Sequence, residues 1–177
     1  MKLVILDRDG TINEDSDQYI KSPEEFHPIE GSLEAIARLT QAGYRVVVAT
    51  NQSGIARGLF DTATLVAMHA KLQRLVAQAG GRIDAFFFCP HAADSACECR
   101  KPQPGMLAEV ARRFNVSLKD VYMVGDARRD VEAAAAAGAK PVLVLTGKGA
   151  RTQAEASLPP GTEVFQNLAA FAEQLAP

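Results

Sequence analysis

The 177-residue chain has no tryptophan, three cysteines and only 6% aromatic residues. Three thiols cannot staple a chain of this size, so a disulfide-built scaffold is excluded. No apolar run approaches the ~20 residues needed to cross a bilayer. The first such run, Leu3-Val4-Ile5-Leu6, is met at once by acid, which argues against a secretory signal segment. With an odd number of cysteines, this makes a reducing cytoplasm the expected compartment. Net charge is also scarce: 19 Lys and Arg stand against 21 Asp and Glu, a formal −2. Neither a basic stripe nor an aromatic platform for nucleic acid is evident. Low-complexity segments, internal repeats and obvious linkers are missing too. What remains is ordinary globular material, 47% hydrophobic and 23% charged. At this length one core can bury roughly 70% of the unfolded chain's surface. One domain over residues 1–177 is expected, and a monomer, because no long apolar stripe demands a partner.

Apolar runs and helical patterns alternate along the chain. Leu3-Val4-Ile5-Leu6, Val46-Val47-Val48-Ala49, Ala85-Phe86-Phe87-Phe88, Val121-Tyr122-Met123-Val124 and Val142-Leu143-Val144-Leu145 read as strands buried on both faces. Between them, Ser32 can cap a helix bearing Leu33, Ile36 and Leu39, ended by Gly43. Asp61 can cap a longer one bearing Leu65, Met68, Leu72 and Val76, closed by Gly80-Gly81. Pro104 suits the first turn of a third, through Phe114. Asp130 to Ala137 is alanine-rich and followed by Gly138. After the turn at Pro159-Pro160-Gly161, Val164-Phe165 reads as an edge strand and Leu168 to Leu175 as a last helix. This pattern predicts an α/β fold, a central parallel sheet with helices on both faces.

In such a sheet, ligands bind beyond the carboxyl ends of the strands, and the unusual polar residues fall there. Asp7-Arg8-Asp9-Gly10-Thr11 follows the first strand and Thr50-Asn51-Gln52-Ser53-Gly54 the second. Arg100-Lys101 comes after the third, and Gly125-Asp126 after the fourth, with Asp130 beyond. The chemistry this suits is phosphoryl transfer. Asp7 is placed to attack phosphorus and Asp9 to protonate the leaving oxygen, then activate water. A hard cation, Mg²⁺, fits Asp7, the Asp9 backbone carbonyl and Asp126. Thr50 and Lys101 can hold the phosphoryl oxygens. Taken singly, each residue has a plainer reading: Asp-x-Asp a loop, Thr50 a turn, Lys101 a solvated lysine, Asp130 a helix cap. Their order after successive strands favours function.

All three cysteines lie in the loop 89–99. Cys89-x-His91 and Cys97-x-Cys99 supply three thiolates and an imidazole, a closed tetrahedral set for structural Zn²⁺. The alternative is a free-cysteine loop, but its Ala- and Asp-rich stretch has no core to order it. A clamp would also set Arg100 and Lys101 beside the phosphate site. His27 and His69 stand off these motifs and read as surface or helix-face residues.

The set Asp7-x-Asp9-Gly10-Thr11, Thr50-Asn51, Lys101 and Gly125-Asp126-x-x-x-Asp130 resembles the haloacid dehalogenase superfamily of phosphohydrolases across nearly the whole chain. The resemblance implies a Rossmann-like three-layer core, Asp7 as nucleophile, Asp9 as general acid/base and Mg²⁺ at the fourth motif. The second aspartate favours phosphatase over dehalogenase. The gaps after the first and third strands are too short for a folded cap domain. The zinc segment and Thr50-Asn51-Gln52-Ser53-Gly54-Ile55-Ala56-Arg57-Gly58 are similar to one branch, the phosphatases of heptose 1,7-bisphosphates. That branch implies removal of the 7-phosphate in the making of nucleotide-activated heptose for surface glycans such as lipopolysaccharide. It also implies substrate contacts at Asp7, Arg8, Asp9, Asp15, Ser16, Asp17, Gln18, Thr50, Asn51, Gln52, Ser53, Arg100 and Lys101. A histidinol-phosphate phosphatase is the neighbouring alternative, and a non-catalytic zinc-stabilised binding module the alternative of another class. Branch members often carry lysine after the fourth-motif aspartate; here it is Ala127, with Arg128 and Arg129 next. Lys148 either lines the mouth or is an ordinary turn lysine.

Overall fold

The protein is described by a computed structural model covering residues 1–155 and 157–177. Six strands form one wholly parallel sheet: β1 (Leu3–Leu6), β2 (Arg45–Asn51), β3 (Ala85–Cys89), β4 (Tyr122–Gly125), β5 (Lys140–Val144) and β6 (Glu163–Phe165). Their order is β3-β2-β1-β4-β5-β6. The helices between them are α1 (Ser32–Gln41), α2 (Thr62–Gln78), α3 (Gly105–Phe114), α4 (Arg128–Ala137), α5 (Gly149–Glu155) and α6 (Leu168–Leu175).

The alternate side chains of each strand feed two cores. Val4, Leu6, Val46, Val48, Val124 and Val142 pack with Ile36 and Leu39 of α1, Leu65 and Leu72 of α2 and Phe171 of α6. Leu3, Ile5, Val47, Ala49 and Met123 face the other way, onto Met106, Leu107 and Val110 of α3 and Ala134 of α4. This is the three-layer arrangement expected, and β1 is fully buried because it is central. By contrast, Phe86, Phe87 and Phe88 are half-buried, since β3 is the sheet's edge rather than an interior strand.

The caps correct some local expectations. Asp61 does cap α2, accepting from Thr64 N at 2.8 Å. Ser32 does not cap α1. Gly31 does, at φ +81°, and the Ser32 hydroxyl instead donates to Ile12 O at 2.7 Å, tying the loop after β1 to the helix. Pro104 is itself the N-cap residue of α3. α4 begins at Arg128, so Asp130 lies within its first turn and reaches back to accept from Ala127 N at 3.0 Å. α5 had no sequence signal, for Gly-Ala-Arg-Thr-Gln-Ala-Glu carries no apolar stripe.

The strand order reverses between β1 and β4, where a doubly wound sheet opens a crevice at its carboxyl edge. β1 pairs with β2 from Leu3↔Arg45 to Leu6↔Val48, and with β4 from Val4↔Tyr122 to Leu6↔Val124. Asp7 N then donates to Val124 O at 2.8 Å. That register sets Asp7 beside Asp126, which follows β4 directly.

Candidate active site

Asp7, Thr50, Lys101, Asp126 and Asp130 are all buried, the last completely. Lys101 is their hub. Its Nζ lies 2.9 Å from Asp7 Oδ1, 2.7 Å from Asp130 Oδ1 and 2.7 Å from Ala49 O. Asn51 fixes the lysine's backbone: its Oδ1 accepts from Lys101 N and its Nδ2 donates to Lys101 O, both at 3.0 Å. Burial disfavours the ammonium, but the Asp130 and Asp7 carboxylates outweigh it and raise the Lys101 pKa. Lys101 is thus no solvated lysine, and Asn51 serves it first.

One lysine cannot neutralise three carboxylates. Burial, then the charge of Asp130, pushes Asp7 up to about 6. Burial, then Asp7 and Asp130, pushes Asp126 up to about 8. Asp130 alone is held low, because Lys101 and Arg129 outweigh its burial. Carboxylate oxygens of Asp7, Asp126 and Asp130 lie within 4.8 Å of one another. Asp126 Oδ1 is buried without a hydrogen-bond partner. Its other oxygen accepts from Lys148 N at 2.8 Å, and its carbonyl accepts from Thr152 Oγ1 of α5 at 2.9 Å. Gly10 makes room for it: a Cβ there would come within 2.1 Å of Asp126 Oδ2. An oriented, partnerless carboxylate oxygen among other acids suits a hard divalent cation. Asp130 joins the ligand cluster named from the sequence, while the Asp9 carboxylate lies outside it.

Asp9 has its own scaffold. Its Oδ1 accepts from Arg8 Nε at 3.0 Å, Arg8 Nη2 at 2.8 Å and Asn13 Nδ2 at 2.9 Å. Its Oδ2 accepts only from Gln52 Nε2, at 3.1 Å, among the described residues. Gln52 Nε2 also donates to Thr50 Oγ1 at 2.9 Å, and the Thr50 hydroxyl in turn donates to Asn51 O, at a long 3.4 Å. Burial would raise the Asp9 pKa; the Arg8 charge and the hydrogen bonds from Asn13, Arg8 and Gln52 hold it below the usual carboxylate range. The Arg8 side chain is completely buried and so occupied. Its guanidinium serves Asp9 and His69, so a substrate contact at Arg8 would fall to its backbone.

A cavity of about 190 Å³ opens above these groups, lined by Asp9, Asp15, Ser16, Asp17, Tyr19, Ile20, Asn51, Gln52, Ser53, Arg100, Arg129 and Lys148. Most expected contact residues converge there. Gln18 does not; it is exposed, outside the wall. Of the two arginines after Ala127, Arg128 pairs with Glu132 at 2.6 Å on the outside of α4. Arg129 lines the cavity, and its Nε is buried without a partner. Lys148 reaches Asp15 at 3.3 Å across the same cavity, so it is not an ordinary turn lysine. Tyr19 and Ile20 went unseen in the sequence, since nothing in a lone Tyr-Ile pair marks a pocket wall.

The cysteine loop closes as a cluster. The Cys89, Cys97 and Cys99 sulfurs and His91 Nδ1 fall within 4.8 Å of one another. Cys89 Sγ is 3.8 Å from Cys97 Sγ, and His91 Nδ1 is 3.4 Å from Cys89 Sγ and 3.3 Å from Cys99 Sγ. Ligands ~2.3 Å from a central tetrahedral ion stand at about such separations, and the 2.9 Å between the Cys99 and Cys89 sulfurs would have to widen to seat one. The loop also holds Arg100, whose Nη1 donates to His91 O at 3.4 Å.

A family model described as HAD-hydrolase-like matches residues 98–171. The chain is 60% identical over 175 residues to the D-glycero-β-D-manno-heptose-1,7-bisphosphate 7-phosphatase of Bordetella bronchiseptica, covering 99% of this chain and 98% of that one. It is 56% identical over 173 residues to the protein of the same name from Pseudomonas aeruginosa, covering 98% and 97%. The crystal structure of D,D-heptose 1,7-bisphosphate phosphatase from B. bronchiseptica, complexed with magnesium and phosphate, matches with a TM-score of 0.98 at 60% identity, covering 99% and 98%. That from Burkholderia thailandensis matches with a TM-score of 0.80 at 52% identity, covering 99% and 98%. The chain belongs to the D-glycero-β-D-manno-heptose-1,7-bisphosphate 7-phosphatase family of HAD-like hydrolases.

Proposed function

We propose that this protein hydrolyses the 7-phosphate of D-glycero-β-D-manno-heptose 1,7-bisphosphate, releasing inorganic phosphate and the heptose 1-phosphate. The observation that carries this reading is one small cavity with a buried nucleophile and lysine beneath it and three cations, Arg100, Arg129 and Lys148, in its wall. A substrate with two phosphates meets both. The retained anomeric phosphate is the group a nucleotidyl transfer needs, in keeping with a place before nucleotide activation of the sugar. The catalytic unit would span residues 1–177 without a cap domain, working as a monomer in the cytoplasm; no described helix is long and apolar enough to cross a membrane.

Asp7 attacks the 7-phosphorus in line, forming the Asp7–phosphorus bond as the bond to the sugar oxygen breaks. Asp9, held below the usual carboxylate range, carries no proton of its own at neutral pH; Oδ2, its less encumbered oxygen, takes one from the bound phosphate monoanion and passes it to that leaving oxygen. A water then attacks the phosphorus of phospho-Asp7 and gives its proton to Asp9, and the Asp7 carboxylate is restored. Lys101 Nζ and the Thr50 hydroxyl hold the phosphoryl oxygens throughout. Mg²⁺, which Asp7, Asp126 and the Asp9 carbonyl would hold with Asp130 adjacent, supplies charge neutralisation for the transferring group. Zn²⁺ would be held by Cys89, His91, Cys97 and Cys99, all four positions taken by protein, so its part is to order the loop carrying Arg100.

Three outcomes follow. In steady-state comparison, kcat/KM for the β-bisphosphate should exceed those for the α-anomer and for histidinol phosphate; a preference for histidinol phosphate would overturn the substrate. Arg129→Ala should lower kcat/KM for the bisphosphate by about 10- to 100-fold, the loss of one charged hydrogen bond. On a monophosphate ester the change should be far smaller, and equal losses on both would deny Arg129 its part in reading the second phosphate. Zinc removal should lower Tm by at least about 5 °C, and elemental analysis should find one zinc per chain. A melting curve unchanged after complete removal would contradict the structural role.

A further inference from the structure

Asp9 is held by Arg8, and Arg8 is in turn held from a distant part of the chain. His69 lies on α2, 61 residues away, yet its Nε2 is 3.3 Å from Arg8 Nη1. The ring is buried and stacks on Phe86 of β3, centroids 4.2 Å apart and planes 11° apart. The face of the guanidinium is covered by Phe26, its Cζ 5.4 Å from that ring's centroid. A guanidinium only donates, so Nε2 is the acceptor and the imidazole proton sits on Nδ1. Burial, then the Arg8 charge, brings the His69 pKa down to about 3, keeping the acceptor free. Arg8 therefore spends Nε and Nη2 on Asp9 Oδ1 and Nη1 on His69, and its plane is fixed at both ends. A planar fork fixed this way orients the carboxylate it grips. Asp9 Oδ1 is saturated by the fork and Asn13, which leaves Oδ2, bonded to Gln52 Nε2 at 3.1 Å, as the freer oxygen of a residue that lines the cavity.

We infer that His69 is a positioning residue for the proton transfer: through Arg8 it sets the orientation of Asp9, so that Oδ2 faces the leaving oxygen of the substrate. This rests on the reading of Asp9 as general acid. His69 reaches neither the substrate nor the cavity wall. Its effect should therefore appear in the step that needs the proton and not in binding.

The test compares two leaving groups on the magnesium-loaded protein. A sugar alkoxide must be protonated as it departs; 4-nitrophenolate needs no proton. His69→Phe keeps the stack on Phe86 but has no acceptor, and His69→Gln restores one. In single turnovers, which read the phosphorylation of Asp7 ahead of the water step common to both substrates, His69→Phe should lower the rate for the heptose bisphosphate by about 10-fold, part of what a general acid contributes, and for 4-nitrophenyl phosphate by less than about 2-fold, with both half-saturating concentrations nearly unchanged. His69→Gln should recover most of the loss. Equal losses on the two substrates, or no recovery with glutamine, would overturn the inference. Asp9→Asn is the control: if it lacks the leaving-group contrast, the acid assignment fails and the inference with it. If the control has the contrast and His69→Phe does not, the inference fails alone. Imidazole ¹⁵N shifts of the unaltered protein give a reading independent of any variant's folding: a protonated Nε2 would overturn the inference too.

Discussion

Asp7→Asn should lower kcat on the bisphosphate by at least about four orders of magnitude, as removal of a nucleophile does. It should do so without unfolding the protein. The amide keeps the carboxylate's volume and an oxygen for Lys101 Nζ to meet at 2.9 Å. It also removes one charge from a cluster in which Asp7 is already pushed up to about 6 by burial and by Asp130. With metal chelated, the variant's Tm should thus equal or exceed that of the unaltered protein, because fewer like charges are buried together. Rapid quench should find no acid-stable phosphoenzyme. Turnover within tenfold of normal would mean that another group attacks phosphorus.

Lys101→Met carries the second large effect, with the opposite balance. Methionine fits the apolar part of the lysine's path but leaves Asp7, Asp126 and Asp130 buried with Arg129 as the remaining opposing charge. Breaking a buried pair on one side costs about 3–5 kcal/mol. For a chain of this length that is a Tm loss of roughly 6–20 °C. Loss of a positioned cation at the transferring group should lower kcat by about 10²–10³. The two effects separate in a double variant. Lys101→Met with Asp130→Asn removes the stranded partner, so differential scanning calorimetry should find much of the Tm regained while kcat stays low. If kcat recovered along with Tm, Lys101 would be a stabiliser of the fold and no more.

The layered sheet was legible because strands buried on both faces announce themselves as unbroken apolar runs, as at Leu3–Leu6 and Val46–Ala49. The meeting of Asp7, Lys101, Asp126 and Asp130 was legible for a related reason: in a parallel sheet, strand ends share an edge, so one polar motif after each strand predicts it. Short-range bonds were harder to see. Ser32 looks like a cap, but whether its hydroxyl turns inward depends on Ile12, twenty residues away. Arg8 looks like one more cation near a phosphate, and only the packing of Phe26, His69 and Phe86 makes it a buried support for Asp9. His69 itself gives no signal, for a histidine on a helix face is common and its partner lies across the core. Arg128 and Arg129 are adjacent and chemically alike; the helix turn between them sends one to Glu132 and the other to the cavity.

The central claim is that the cavity takes one phosphate to Asp7 and keeps the other at Arg100, Arg129 and Lys148. ³¹P NMR of the reaction with D-glycero-β-D-manno-heptose 1,7-bisphosphate tests it most directly, because the two phosphorus nuclei are distinct. The resonance of the 7-phosphate should vanish as inorganic phosphate grows in equal amount, while the anomeric phosphate resonance persists. Loss of the anomeric phosphate first, or of both at equal rates, would contradict the account.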